Sequence, residues 1–290
     1  MNDENKGMRM GKYSKPESLE EALECLKDSA ATILAGGTDL YANESFKADN
    51  LHLIDISEIQ SLCEIESTSD GWWIGSAVSW SEVAKADLPP LFDGLREAAR
   101  MIGGRQVQNA GTVGGNICNA SPAADSVPPL MAMNTSVEIR NIHETRLVKL
   151  DQFIKGRRDV DLRPDEMVTR LFVPDNGKTS RSVFLKTGAR AQLVISPVMA
   201  TGILQIDHDD VIIDFRISIG ACSPVAKTLD SIGDRVRGLH MSEDLSAYVR
   251  EEDFDILDPI SDMRGDAEYR LNTAKSMTRR LIRELQVAHV

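Results

Sequence analysis

The chain has 290 residues, 42% hydrophobic and 27% charged, with a formal net charge of −12. That length exceeds one ordinary core and suits two domains, or one domain with divided lobes, and the composition is globular. The acidic balance argues against a nucleic-acid binder, which carries a basic stripe. The polar stretch 1–12 lacks the apolar core of a secretory leader, and the longest weakly polar run, 194–204, is far short of a membrane span. The expected location is the cytoplasm.

In chain order, the first element is a helix over Leu19–Leu26, with Ser18 as N-cap, Glu21 completing a capping box, and Leu19, Ala22, Leu23 and Leu26 on one face. Thr32–Ala35 reads as a short buried strand running straight into Gly36-Gly37. Thr38-Asp39-Leu40 is expected to open the next helix, setting the glycine pair at a helix N-terminus where free N–H groups favour an anion. Leu51–Ile56 is a second strand, closing a small lobe over about residues 1–60.

From residue 61 the pattern changes. Ser69-Asp70-Gly71 joins Leu62–Ile65 to Trp72–Ile74 as a hairpin. Ser81–Val83 and Leu91–Ile102 read as helical, and a second glycine loop, Gly111–Asn116, follows. Next come apolar segments at Leu130–Met133, Ser136–Arg140 and Arg146–Lys149, and a strand over Glu166–Val173 ended by Pro174. The polar stretch Asp175–Ser180, with its Asn-Gly pair, is the boundary candidate. It divides the chain into domains 1–178 (lobes about 1–60 and 61–178) and 179–290. Ser182–Lys186, Val198–Ile206 and Val211–Ile219 follow as antiparallel strands, and the tail from Ser242 is helical, closed by a long helix carrying Tyr269, Leu271, Ala274, Met277, Leu281 and Leu285. Mixed lobes, then strands, then helices indicate an α+β fold rather than a doubly wound parallel sheet.

The two glycine loops carry the chemistry. A lone Gly-Gly is most often a turn. In Thr112-Val113-Gly114-Gly115-Asn116, however, a hydroxyl and an amide flank bare backbone, as a phosphate cradle requires. Two such loops suggest one diphosphate held from two sides, hence a dinucleotide. Asp125 is a natural acceptor for a ribityl or ribose hydroxyl, and equally a helix cap before Pro128-Pro129; the residues alone leave both readings open. Neither loop fits G-x-G-x-x-G or G-x-x-x-x-G-K-[ST], which argues against a Rossmann site and a P-loop. There is no G-x-S-x-G and no H-E-x-x-H. The four cysteines, Cys25, Cys63, Cys118 and Cys222, and the five histidines are dispersed, so no metal or iron–sulfur centre is expected within the chain.

The segments Ile33-Leu34-Ala35-Gly36-Gly37-Thr38-Asp39-Leu40 and Asn109–Ile117, with Asp125 downstream, resemble the two FAD-binding signatures of the xanthine dehydrogenase family. The resemblance is to its medium, flavoprotein subunit, as in carbon monoxide dehydrogenase. It spans nearly the whole chain, from Lys15–Ala22 to Tyr269-Arg270 and Arg279-Arg280. It implies a two-lobed FAD-binding domain of p-cresol methylhydroxylase type, followed by a small C-terminal α+β domain. By resemblance, Ile33 to Leu40 and Thr112 to Asn116 hold the FAD diphosphate and ribityl region, Asp125 takes a sugar hydroxyl, Ile102 packs on the adenine side, Val168 approaches the isoalloxazine, and Lys186 sits near the flavin ring. Two positions depart from the family's pattern. Gln108 stands where Arg is frequent. In the family's Lys-x-x-x-Arg-x-x-x-Asp loop, Lys186 and Arg190 are present but Val194 replaces the Asp.

The resemblance further implies an electron-transfer subunit, with no catalytic acid or base of its own. Its partners would be a large molybdopterin-binding subunit and a small subunit with two [2Fe-2S] clusters, and its acceptor NAD, oxygen or a quinone. The scattered cysteines agree with clusters lying elsewhere. Two other readings stand beside it: a stand-alone FAD-dependent oxidoreductase, and a non-catalytic assembly or binding protein that kept the fold.

Overall fold

A computed structural model describes residues 11–27, 31–42, 52–177, 179–188 and 195–287. The first lobe begins with β1 (Lys12–Ser14), α1 (Leu19–Cys25), β2 (Ala31–Leu34) and β3 (His52–Asp55). Ser18 Oγ accepts from Glu21 N–H at 3.3 Å, while the Glu21 carboxylate reaches back one residue further than a capping box requires, to Glu17 N–H at 3.0 Å. The strands form a parallel sheet in the order β1-β3-β2. Leu19, Ala22, Leu23 and Leu26 bury against Ile54, Ile56 and Ile59, so the helical face read from the sequence is the one that packs.

The second lobe runs through β4 (Ile65–Ser67), β5 (Gly71–Gly75), α2 (Trp80–Lys85), α3 (Asp93–Met101), α4 (Arg105–Ala110), α5 (Val113–Asn119), α6 (Val127–Ala132), β6 (Ser136–Arg140), β7 (Thr145–Lys149), α7 (Leu150–Phe153), β8 (Ile154–Gly156), β9 (Asp159–Val160) and β10 (Met167–Pro174). Its antiparallel sheet has the order β4-β5-β10-β6-β7. Ile74, Trp80, Phe92, Leu95, Ile117, Val137 and Leu171 fill one core between this sheet and its helices. Burying each such side chain stabilises the fold by about 1.5–3 kcal/mol.

The remaining sheet is built from β11 (Arg181–Lys186), β12 (Met199–Ile206), β13 (Ile212–Gly220) and β14 (Lys227–Thr228), in that order and antiparallel. On one face lie α8 (Asp230–Val236) and α9 (Ala267–Val287). The α9 stripe Ala274, Met277, Leu281 and Leu285 packs with Phe215 and Ile232. Helix α3 covers the other face, where Ala98 meets Phe184 and Met199.

Two expectations change, at the two glycine segments, and two further helices come to light. Thr38-Asp39-Leu40 forms a single turn, closed by Tyr41 N–H to Gly37 O at 3.0 Å, and no helix begins within residues 38–42. The second glycine loop is helical from Val113 onward, capped by Thr112 Oγ1 on Gly115 N–H. Helix α4 has no buried residue, hence no apolar face by which the sequence would show it. Pro128 and Pro129 do not prevent α6, because they stand in its first turn, where a missing N–H leaves no bond unmade.

Candidate functional site

A cavity of about 620 Å³ opens where the first lobe meets α5 and the start of β10. All of Ile33 to Leu40 line it, together with Ile102, Thr112, Gly114, Gly115, Asn116 and Val168. Val113 is buried behind the wall, its N–H given to Val78 O at 2.9 Å. Ser76, Trp80, Val107, Cys118, Leu162, Arg163 and Glu166 also line the cavity, and no sequence motif marks them. These residues lie on elements brought in by the tertiary fold and form no local motif.

The two glycine segments touch, and this contact explains Gly36. A Cβ there would collide with the carbonyl oxygen of Ala110, at the end of α4. Gly37 has φ +66°, the left-handed region that side chains disfavour. Gly114 packs on Ser76, where an added Cβ would lie 2.5 Å from Ser76 Cβ. Asp39 fastens the first loop, accepting from Arg158 at 3.1 Å and Asn119 Nδ2 at 3.3 Å.

The loops differ in what they leave open. Val113, Gly114 and Asn116 N–H groups donate to Val78, Ser76 and Thr112 carbonyls, and Gly115 N–H to the Thr112 hydroxyl. The N–H groups of Gly36, Gly37, Thr38 and Asp39 have no acceptor among the described residues. Successive free amides around a left-handed glycine make an anion-binding concavity. Asn116 is oriented by Ser126, whose Oγ donates to Asn116 Oδ1 at 2.6 Å.

Away from these donors the walls are apolar, with Ile33, Ile56, Leu162 and Val168. Ile102 stands at the end of α3, and Gln108 holds that end by donating to Arg100 O at 2.8 Å and Ile102 O at 3.1 Å. The cationic side chain Arg163 is engaged by Glu144 and Glu166. Glu166 also takes two bonds of 2.8 Å from Arg146, which hold its carboxyl below the usual glutamate range. Burial pushes the Cys118 thiol up to about 12, leaving it inert. The arrangement therefore suits a ligand with an anionic centre and flat apolar ends. The free amides match a diphosphate, and Ser76 Oγ, buried in the wall without a protein partner, leaves one more polar atom for a ligand or its water.

Asp125 and Lys186 are not in this cavity's lining. Lys186 Nζ pairs with Asp125 Oδ2 at 2.8 Å and donates to Met101 O at 3.0 Å, while Ser196 Oγ donates to Asp125 Oδ1 at 3.2 Å. Burial pushes the Asp125 carboxyl above its ordinary value, and Lys186 opposes the rise. Asp125 is not a helix cap, since Ser126 holds the N-cap position of α6. Arg190 and Val194 lie outside the described residues. No group of three or more His, Cys, Asp or Glu that could hold a metal occurs among the described residues, and no helix among them is long and apolar enough to cross a membrane.

Comparison with known proteins adds to this geometry. Residues 8–176 match the family described as FAD binding domain in molybdopterin dehydrogenase, and residues 184–285 match CO dehydrogenase flavoprotein C-terminal domain. The chain is 27% identical to a xanthine dehydrogenase FAD-binding subunit of Escherichia coli O157:H7, over 95% of this chain and 96% of that one. It is 29% identical to a glyceraldehyde dehydrogenase medium chain of Sulfolobus acidocaldarius, over 94% and 97%. In three dimensions it superposes on a chain of reconstituted CO dehydrogenase from Oligotropha carboxidovorans with a TM-score of 0.88 at 22% identity, covering 96% of this chain and 98% of that one.

Proposed function

Because this chain belongs to the family of FAD-binding domains in molybdopterin dehydrogenases, we propose that it is the electron-transfer flavoprotein subunit of a molybdenum hydroxylase. In this reading a large molybdopterin-binding subunit oxidises the substrate and a small subunit carries [2Fe-2S] clusters. FAD held here would take up those electrons and pass them to NAD or another acceptor. The proposed domains are 1–178, which binds FAD, and 179–290, and the proposed location is the cytoplasm.

The observation that carries the binding mode is the row of free amides at Gly36, Gly37, Thr38 and Asp39. They would hold the diphosphate, while Thr112, Gly114, Gly115 and Asn116 border its other side, with Val113 packed behind them. Ile33, Leu34, Ala35 and Leu40 would shape the wall, and Ile102 and Val168 would pack on the rings. By resemblance Asp125 and Lys186, a buried pair outside the lining of this cavity, would serve the flavin end, where a cation would favour the reduced ring. Bound FAD supplies two-electron uptake and release. The chain's own residues position it, exclude water and tune its potential, and none is assigned as general acid or base.

The test is the absorption spectrum of the purified chain, then its elution mass with co-expressed partner subunits. Stoichiometric flavin and a mixed complex are expected. A colourless chain that takes up no added FAD would sink the reading, and a yellow monomer that turns over substrate alone would replace it with a free-standing oxidoreductase.

A further inference from the structure

A second cleft, of about 940 Å³, shares no lining residue with the glycine-loop cavity and runs along β11. Its floor is the edge of a sheet, because β11 is the first strand in the order β11-β12-β13-β14. Thr187 N–H donates to Val198 O at 2.9 Å, which fixes the parity of the ladder. Arg181, Val183 and Leu185 turn their backbone groups toward β12, while Ser182, Phe184 and Lys186 turn theirs outward. The outward amides and carbonyls have no partner among the described residues. The register with β12 is unbroken over all of β11, which contains no proline or bulge. Charge stands at its two ends, Arg181 and Lys186, and the stretch between them leaves outward main-chain groups available to another strand.

The walls of the cleft are two helical rows. Asp93, Glu97 and Met101 of α3 form one, and Arg280 with Glu284 of α9 the other. Asp93 pairs with Arg96 of its own helix, and Glu97 meets Arg100 only loosely, at 3.8 Å. Arg280 is already paired with Glu284 at 2.7 Å. With Asp93 answered by Arg96, Glu97 is the acidic side chain that the α3 wall holds only loosely paired beside the strand edge, while the cations Arg181 and Lys186 of β11, also in the lining, are engaged by Leu285 O and Asp125.

We propose that this cleft receives an extended segment of a partner subunit as a fifth strand on β11, with lysine or arginine at the alternate positions that face α3. Main-chain hydrogen bonds to Ser182, Phe184 and Lys186 supply the affinity, and the acidic wall selects the segment and its register. A second copy of this chain suits the cleft poorly. Pairing β11 with its own two-fold mate sets the Asp93 and Glu97 row of one α3 beside that of the other.

The proposal rests on the reading that the chain works within an assembly, and the experiment separates the two. Amide hydrogen exchange is followed by mass spectrometry in the FAD-loaded chain alone and in the complex purified with its partner subunits. Exchange at 182–186 is expected to slow at least tenfold in the complex. Glu97→Lys, at a half-exposed position outside the glycine-loop cavity, is expected to weaken the complex about tenfold while retaining FAD. If a complex forms and 182–186 exchanges at its free rate, the strand-addition proposal is wrong and the assembly reading survives. If no complex forms, both fall. Protection of 182–186 in a homodimer of the chain alone also overturns the proposal.

Discussion

Lys186 and Asp125 meet at 2.8 Å with side chains only 5% and 10% exposed. The sequence directs each of them separately at the cofactor, yet they are each other's partner, joining the end of β11 to the segment before α6. A buried charge left alone is costly, so the pair behaves as a unit. In Lys186→Met, the Asp125 carboxylate loses the group that offsets its burial, and its pKa climbs further above the unfolded value. A raised folded pKa gives stability that is present at low pH and lost as pH rises through it. The variant should therefore lie close to wild type near pH 4 and fall about 3–5 kcal/mol below it at pH 7. Lys186→Met with Asp125→Leu should recover most of the loss. Urea melts across that range test this, and a deficit independent of pH would refute it.

The glycine loops yield a graded prediction. Gly36→Ala drives a Cβ into the Ala110 carbonyl, which is backbone and cannot step aside. It should prevent the two loops from closing, giving a chain that recovers neither FAD nor a sharp melt. At Gly37 the added Cβ would lie 2.6 Å from Tyr41 Cε2, part of an exposed side-chain ring rather than backbone. Gly37→Ala should fold with a cost of about 1–2 kcal/mol for the left-handed backbone and retain FAD weakly. Thermal melts with and without FAD distinguish the cases. Equal behaviour of the two variants would show that contact with Ala110 is not what fixes Gly36.

How far the site was legible follows from these residues. Gly36 and Gly37 stand out in the sequence because the strand before them and the small polar residues after them form a local pattern. What the sequence cannot express is which loop keeps its amides free. That depends on Ser76 and Val78, distant in the chain, accepting the N–H groups of Gly114 and Val113. The α+β order and the closing helix were readable from apolar periodicity. Helix α4 was not, because it buries no side chain. Ser76, Trp80 and Glu166 come to the cavity wall through tertiary packing, with no spacing to announce them.

Glu166 gives an acid-side prediction. Its side chain is 1% exposed and its bonds from Arg146 hold the carboxyl below the ordinary glutamate value. A depressed folded pKa contributes stability above the unfolded value, lost as pH falls through the folded one. Wild type should therefore lose stability on acidification below about pH 4, with part of that loss belonging to this pair. Arg146→Gln should flatten this part of the profile and cost about 3 kcal/mol at pH 7. Melting curves between pH 3 and 7 measure both. An unchanged acid limb in the variant would assign the acid sensitivity to other carboxylates.

Gln108 links a departure from the family's pattern to the cavity. Its amide donates to the Arg100 and Ile102 carbonyls, closing the C-terminal end of α3 just where Ile102 enters the cavity wall. Helix ends leave such carbonyls without partners, and the turn after Ile102 passes through Gly103 at φ +50°. Gln108→Ala removes both donors at a cost of about 1 kcal/mol each, and frees Ile102 to shift. FAD affinity should fall about tenfold, which corresponds to about 1.4 kcal/mol, with the protein still folded. Gln108→Arg should restore it, since a guanidinium can donate to both carbonyls. Gln108→Glu should not, because a carboxylate would face the two carbonyls with no donor. Fluorescence titration of the flavin-free chain with FAD provides the measurement. Wild-type affinity in Gln108→Ala would show that Ile102 is held by its packing alone.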